Sequence, residues 1–159
     1  MPNAMSLFAG CGGCSLGLHQ AGIAVAFAAD INPDACRTYS LNLATQCHQL
    51  DLSVTSPEIL LEQTALSSQH VDMIVGGPPC QGFSSAGARD WNDPRSLLLK
   101  RFVEIVITIR PTWFIMENVE GLLTAYDGFF ITEAIARFLQ AGYWTVSYTH
   151  LTLPTILRV

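Results

Sequence analysis

A cysteine flanked by prolines is the first residue whose type and setting suggest chemistry. Cys80 follows Pro78 and Pro79 and precedes Gln81, in a loop predicted over residues 78–87. A thiolate is a strong nucleophile, so a loop thiol in a binding crevice is a candidate for covalent catalysis if its pKa is lowered. Taken alone, an isolated intracellular cysteine is more often a small buried apolar residue. The weight given to Cys80 therefore depends on its surroundings.

A carboxyl group in a second segment could handle a proton. Glu117, followed by Asn118 and Val119, comes directly after an apolar strand predicted over residues 113–116. At the edge of such a strand the carboxyl group could be desolvated, which would favour its protonated form and allow it to serve as a proton donor. The alternative is a strand-end glutamate with ordinary hydrogen-bond partners.

A glycine-rich turn and an acidic residue in a third region suggest a nucleoside cofactor. Glycines among residues 8–13 would let backbone N–H groups approach a ligand closely at a helix N-terminus. Asp30, at the end of the next predicted strand, could accept hydrogen bonds from both ribose hydroxyls. The dinucleotide fingerprint requires glycine where Ser15 stands, which argues against nicotinamide or flavin. The glycines could also simply form a tight turn.

These segments must be positioned by the secondary structure between them. Short apolar runs alternate with helix-like stretches, which predicts an α/β fold with a mostly parallel sheet flanked by helices. Strands are predicted to end near Phe8 and to span residues 23–29, 71–75 and 113–116, the last as a buried strand. Helices are predicted around residues 16–19, over 33–42 after an Asn32 cap, after Ser56 and Pro57, over 96–110, and up to about 140 before Gly142. The carboxyl ends of parallel strands share one edge, so the three segments should converge there.

Composition limits the architecture and the possible partners. The chain has 159 residues, half of them apolar, which suits one folding unit. Eight Lys and Arg against thirteen Asp and Glu leave a net charge of -5, the wrong sign for a surface that must hold phosphates by itself. A DNA partner would need another module for most of the contact. Each hydrophobic stretch is shorter than the roughly 20 residues of a membrane span.

The cysteines and histidines give little support to a metal or redox site. Five cysteines, an odd number, in a chain with no signal-peptide pattern predict reduced thiols in the cytoplasm, or in the nucleus of a eukaryote. Cys11 and Cys14 form one C-x-x-C pair, but a structural zinc site would need a second pair. The four histidines show no ligand spacing, so the sequence predicts no metal.

Together, the three segments resemble the DNA (cytosine-5) methyltransferases, in order and spacing, from about residue 5 to residue 148. The resemblance implies a Rossmann-like methyltransferase fold, a catalytic domain over residues 1–148 and S-adenosylmethionine as cofactor. Asp30 stands where the family commonly has glutamate, and Asp93, Pro94 and Arg95 resemble a segment that borders the cofactor pocket. The implied cofactor-binding residues are Phe8, Gly10, Gly12, Gly13, Asp30, Ile31, Asp51, Leu52 and Leu98.

The resemblance also implies a mechanism acting on double-stranded DNA with a flipped cytosine. Cys80 would add to carbon 6 of the base and make carbon 5 nucleophilic. Glu117, protonated and hydrogen-bonded at ring nitrogen 3, would offset the developing negative charge. Pro79 and Asn118 would hold this geometry.

The end of the sequence departs from the family pattern. The family continues, after a strand over residues 143–148, with a Gln/Arg motif, a target-recognition region and segments that complete the cofactor pocket. Residues 149–159 resemble none of these, which predicts a truncated or frameshifted coding sequence. We therefore expect little methylation by this chain alone and some exposed apolar surface. The alternative function is an inactive cofactor-binding remnant, and a nicotinamide oxidoreductase is a weaker one.

Overall fold

A computed structural model describes residues 1–63, 70–79 and 96–148. In these residues a parallel sheet has the strand order β3-β2-β1-β4-β5. The strands are β1 (Asn3–Leu7), β2 (Ala24–Asp30), β3 (Cys47–Gln49), β4 (Met73–Gly76) and β5 (Trp113–Met116). The helices are α1 (Gly13–Gln20), α2 (Pro33–Asn42), α3 (Pro57–Glu62), α4 (Leu97–Ile109), α5 (Gly121–Thr124) and α6 (Phe129–Gln140), with a 3₁₀ turn at Ala125–Gly128. Cys80, Gln81, the segment of Asp93, Pro94 and Arg95, and the tail 149–159 lie outside the described residues.

The register of the sheet aligns the carboxyl ends of four strands. Leu7 pairs with Ala29 on one side and with Gly76 on the other, and Gly76 pairs with Met116. Chain order reverses at β1, between β2 and β4, and such a switch point is where open α/β sheets bind ligands. The predicted fold class and the convergence of the strand ends are confirmed.

The predicted capping signals start two of the helices. Asn32 Oδ1 accepts hydrogen bonds from the backbone N–H groups of Asp34 at 2.9 Å and Ala35 at 3.1 Å, and Pro33 opens α2. Ser56 Oγ accepts the N–H of Ile59 at 3.4 Å, with proline again in the first turn. Capping side chains satisfy N–H groups that lack helical partners, so both helices begin at the predicted residue.

The main hydrophobic core lies under the switch point. Phe102 of α4 is fully buried against the sheet, and a Cβ atom on Gly76 would lie 2.8 Å from its ring and 2.7 Å from the carbonyl oxygen of Leu7. A side chain at Gly76 therefore could not fit between the strands and this helix. The largest fully buried side chains, several of which form this core, are Tyr39, Phe27, Phe102, Phe130, Phe138, Met5, Leu7, Leu60, Ile74, Leu99, Ile105 and Val103.

Three features of the sheet differ from the sequence prediction. β5 is not buried, because within the described residues it is the edge strand, and Trp113 and Ile115 are 67% and 47% exposed. Residues 143–148 form no strand; Trp144 is 92% exposed. β3 was not predicted, since three residues of sequence Cys-His-Gln carry no apolar run.

No helix in the described parts of the chain is both long enough and apolar enough to cross a membrane.

Candidate functional site

The loop after β1 has an unusual backbone. Phe8, Gly10 and Gly12 adopt left-handed conformations, with φ of 53°, 53° and 97°. For Phe8 this conformation costs on the order of 1–3 kcal/mol, and such strain concentrates at ligand-binding and catalytic sites. The strained residue is the aromatic one for which the family resemblance implies a role in cofactor binding.

The glycines of this loop have different roles. A Cβ atom on Gly10 or Gly13 would meet nothing within 4 Å, so the backbone there is open to a ligand. A Cβ on Gly12 would lie 2.6 Å from Leu43 Cδ1 and 2.9 Å from Tyr39 Cδ2. Gly12 therefore allows α2 to pack against the loop, while Gly10 and Gly13 suit the close approach of a ligand.

Asp30 ties this loop to the start of α2. Its Oδ2 accepts the N–H of Gly10 at 2.8 Å, and its Oδ1 accepts the N–H of Asn32 at 2.9 Å. An ionised carboxylate offers roughly four acceptor positions, so about two remain for a ligand with hydroxyl donors. Ile31, the next residue, is 62% exposed beside this carboxylate.

The turn after β3 presents Asp51 at the same edge of the sheet. Asp51 is exposed, and its Oδ1 accepts the N–H of Ser53 at 2.9 Å. Hydrogen bonds from Ser53 lower the pKa of Asp51, so the carboxylate is ionised at neutral pH. Leu52 is 3% exposed and belongs to the core, so only its backbone could face a ligand. Leu98, in the first turn of α4, is half-buried.

The ends of β4 and β5 are joined by side-chain contacts. Asn118 Nδ2 donates a 2.8 Å hydrogen bond to the carbonyl oxygen of Pro78, and Asn118 Oδ1 accepts the N–H of Val119 at 2.9 Å. A Cβ atom on Gly77 would lie 2.9 Å from Glu117 Oε2, so that carboxyl group occupies the space that glycine leaves. Glu117 and Asn118 therefore both lie against the backbone that leads into Cys80.

The structure does not show the desolvation that the sequence suggests for Glu117. Its side chain is exposed, because β5 is an edge strand in the described structure and supplies no apolar cover. The carboxyl group of Glu117 is therefore in contact with solvent in this structure. Pro78 is buried and Pro79 is exposed at the point where the described residues stop before Cys80.

The structure brings most of the predicted residues to one edge of the sheet. The glycine loop, Asp30 and Asp51 lie on the β1, β2 and β3 side, and Glu117 and Asn118 lie on the β4 and β5 side. Sequence reasoning missed the contact between Gly77 and Glu117. The signal available was the pair Gly76 and Gly77 at the end of β4, because glycine at such a position can mark close backbone approach.

The described thiols form no metal cluster. Within residues 1–63, 70–79 and 96–148, no group of three or more His, Cys, Asp or Glu side chains could hold a metal ion. Cys11 and Cys14 are exposed free thiols, whereas Cys36 and Cys47 are buried with their sulfur atoms 3.1 Å apart. Burial, together with the neighbouring Cys36, raises the pKa of Cys47 well above its usual range.

Comparison with known proteins identifies the family to which this geometry corresponds. The family model described as C-5 cytosine-specific DNA methylase matches residues 3–152. The Type II methyltransferase M.XorII of Xanthomonas oryzae is 38% identical over 92% of this chain and 35% of its own length. M.HgiGI of Herpetosiphon aurantiacus is 47% identical over 73% of this chain and 89% of its own length.

Solved structures agree with this family match. A structure described as a DNA modification methyltransferase encoded within an E. coli prophage has a TM-score of 0.75 and 32% identity, covering 88% of this chain and 38% of that one. The Dnmt2 methyltransferase of S. pombe has a TM-score of 0.64 at 21% identity over 85% of this chain and 40% of that one, which supports the fold alone. The chain thus spans about a third of M.XorII and 58% of M.AquIA of Picosynechococcus.

Proposed function

Because this chain belongs to the C-5 cytosine-specific DNA methylase family, we propose that the complete protein transfers a methyl group from S-adenosylmethionine to carbon 5 of cytosine in double-stranded DNA. The observation that carries the proposal is the hydrogen bond from Asn118 to Pro78, at 2.8 Å. It joins the strand end that bears Glu117 to the backbone two residues before Cys80. In this proposal, the strand end that bears the proton donor is thereby joined to the segment that leads into the nucleophile.

The residues at the β1 and β2 ends fit a nucleoside cofactor. Gly10 and Gly13 leave open space over the backbone, and Asp30 retains acceptor positions for ribose hydroxyls. Asp51 could accept a hydrogen bond from the amino group of adenine. The proposed cofactor-binding residues also include Phe8, Ile31, Leu52 and Leu98. When bound, S-adenosylmethionine supplies an electrophilic methyl group.

The protein side chains would make carbon 5 of cytosine nucleophilic. The Cys80 thiolate adds to carbon 6, and the electron pair of the ring double bond becomes available at carbon 5. Glu117 donates a hydrogen bond at ring nitrogen 3 and offsets the charge that builds on the ring. After methylation, loss of the carbon 5 proton expels Cys80 and restores the double bond. The bound base would cover Glu117, which is exposed in the free chain.

The target base must leave the duplex before this chemistry can occur. Flipping costs a few kcal/mol, which contacts between protein and DNA must offset. The net charge of -5 disfavours such contacts along the phosphate backbone. We therefore propose that parts of the complete protein outside this chain supply most of the contacts with DNA. The comparison is consistent with this proposal, because this chain covers only 38% of the length of the E. coli prophage protein.

The proposal is tested by covalent capture. DNA that contains 5-fluorocytosine is incubated with S-adenosylmethionine and either the complete protein or its Cys80→Ala variant. We expect the wild type to form a denaturation-resistant complex, and the variant to form none while binding the cofactor with unchanged affinity. Capture by Cys80→Ala would exclude Cys80 as the nucleophile. Cofactor binding by the wild type without capture of any DNA would instead support the cofactor-binding remnant.

A further inference from the structure

The Arg101 side chain connects α4 to the turn after β3. Its Nη2 donates a 2.8 Å hydrogen bond to the carbonyl oxygen of Thr55, and its Nε donates a longer one, 3.4 Å, to the carbonyl oxygen of Leu52. The remaining terminal nitrogen pairs with Glu104 Oε2 at 2.6 Å. The side chain is 19% exposed, so these contacts are partly shielded from water. One guanidinium thus holds both ends of a short backbone segment.

That segment is the turn that presents Asp51. The carbonyl oxygen of Asp51 accepts two hydrogen bonds from Thr55, one from its backbone N–H at 3.0 Å and one from its hydroxyl group at 2.7 Å. Asp51 Oδ1 accepts a hydrogen bond from the N–H of Ser53. Leu52 anchors the turn in the core. Arg101 restrains the same turn from the side of α4, and Asp51 remains exposed at the sheet edge.

We propose that Arg101 is a positioning residue for adenine recognition, because it fixes the turn that carries Asp51. The inference rests on the proposed function, in which Asp51 accepts a hydrogen bond from the adenine amino group. In this role Arg101 acts through the turn and not by direct contact with the cofactor or the base. Its guanidinium suits the task because a planar fork can bind two carbonyl groups and a carboxylate at once, whereas a lysine ammonium is a single point of charge.

The preference for adenine over hypoxanthine reports on this role. Hypoxanthine carries an oxo group in place of the amino group, so it gives the Asp51 carboxylate no donor at that position. The complete protein is titrated calorimetrically with S-adenosylhomocysteine and with its hypoxanthine analogue. A general loss of stability would lower the affinity for both ligands equally. Displacement of Asp51 would lower the affinity for the adenine ligand and leave the affinity for the hypoxanthine ligand nearly unchanged.

In Arg101→Gln we expect the adenine preference to fall by roughly fivefold to twentyfold, as one or two positioning hydrogen bonds are lost. Arg101→Lys should show a smaller fall. Asp51→Asn should also reduce the preference, and adding Arg101→Gln to it should reduce the preference little further. Glu104→Gln is the matched control, because it removes the ion pair and keeps both bonds to the turn; its preference should equal the wild type's.

The outcomes separate this inference from the proposed function. A wild type that binds neither ligand would overturn both. A wild type that prefers adenine, with the same preference in Arg101→Gln, would overturn the role of Arg101 alone. If Arg101→Gln unfolds, Arg101→Lys provides the same comparison, and a wild-type preference in that variant would overturn the inference.

Discussion

The backbone N–H of Gly10 donates a 2.8 Å hydrogen bond to Oδ2 of Asp30, a residue twenty positions later in the chain. The other oxygen of Asp30 accepts the N–H of Asn32. Asp30 thus orders the loop after β1 and the first turn of α2 together. A residue that could bind ribose hydroxyls also maintains the local backbone, so its substitution should affect both binding and stability.

Asp30→Asn is expected to weaken cofactor binding by about tenfold or more and to destabilise the fold by about 1–3 kcal/mol. An amide has one acceptor oxygen, so its NH₂ group must face one of two backbone N–H donors. Calorimetric titration with S-adenosylhomocysteine and urea unfolding measure the two effects. Asp34→Asn is the control, because Asp34 is an exposed acid in the first turn of the same helix. Equal losses in both variants would contradict the assignment.

Asn118→Asp should slow covalent capture without changing cofactor affinity. The variant keeps the oxygen that accepts the N–H of Val119 but replaces the donor to Pro78 with a second oxygen, which the Pro78 carbonyl repels. The loop entering Cys80 would then be held less well, and we expect capture of fluorocytosine DNA to slow by about tenfold, the effect of losing one well-placed hydrogen bond.

A matched control for Asn118→Asp is available at the end of α2. Asn42 Nδ2 donates a 2.7 Å hydrogen bond to the carbonyl oxygen of Thr38. Asn42→Asp makes the same chemical change away from the strand ends, so it should cost some stability and leave the capture rate unchanged. If both variants slow capture equally, the bond to Pro78 has no special role.

The local signals in the sequence predicted much of this structure. Asn32 and Ser56 each precede a proline and begin helices, because the cap depends on a few neighbouring residues. The strand ends at Asp30 and Glu117 followed from apolar runs that stop at a charged residue. These features depend on neighbouring residues and not on distant contacts, so their boundaries could be predicted from the sequence.

What the sequence could not predict depends on contacts between distant segments. β3 exists because residues 47–49 pair with the end of β2, not because of their own apolar pattern. Arg101 lies 46 residues from the Thr55 carbonyl that it binds, and no spacing rule indicates such a pair. The exposure of Glu117 depends on what covers β5, which the sequence of that strand alone does not state.

Gly77→Ala should reduce activity far more than stability. The added Cβ would lie 2.9 Å from Glu117 Oε2, the far end of a flexible side chain, so the carboxyl group can move away at little cost to the fold. A catalytic group displaced by about 1 Å can lose about a hundredfold in rate. We expect a loss of that order in methyl transfer by the complete protein, with the midpoint of unfolding nearly unchanged.

A control variant and a double variant test whether Gly77→Ala acts by displacing the Glu117 carboxyl group. Gly17 lies within α1, where an added Cβ meets nothing within 4 Å, so Gly17→Ala should stabilise by about 0.5–1 kcal/mol with no loss of activity. Combining Gly77→Ala with Glu117→Gln should cost little more than Glu117→Gln alone, since both act on one carboxyl group. Full additivity would show that Gly77 acts elsewhere.

The described thiols should differ sharply in reactivity. Cys11 and Cys14 are exposed, whereas Cys36 and Cys47 are buried, and burial and the neighbouring Cys36 raise the pKa of Cys47. The thiolate is the reactive form, so in the native protein at pH 7.5 iodoacetamide should label Cys11 and Cys14 before it labels Cys36 and Cys47. Mass spectrometry after tryptic digestion would assign the sites. Rapid native labelling of Cys47 would contradict the packing of α2 against β3.

The same shift predicts how stability depends on alkaline pH. The folded state raises the pKa of Cys47 above its ordinary value of 9.0, so it holds that proton more tightly than the unfolded chain does. The resulting stability is fully present below about pH 9 and is lost as pH rises through the higher pKa of the folded state. Urea unfolding between pH 8 and pH 11 should show a steeper fall for the wild type than for Cys47→Ala. Equal slopes would show that the buried thiol contributes nothing to this dependence.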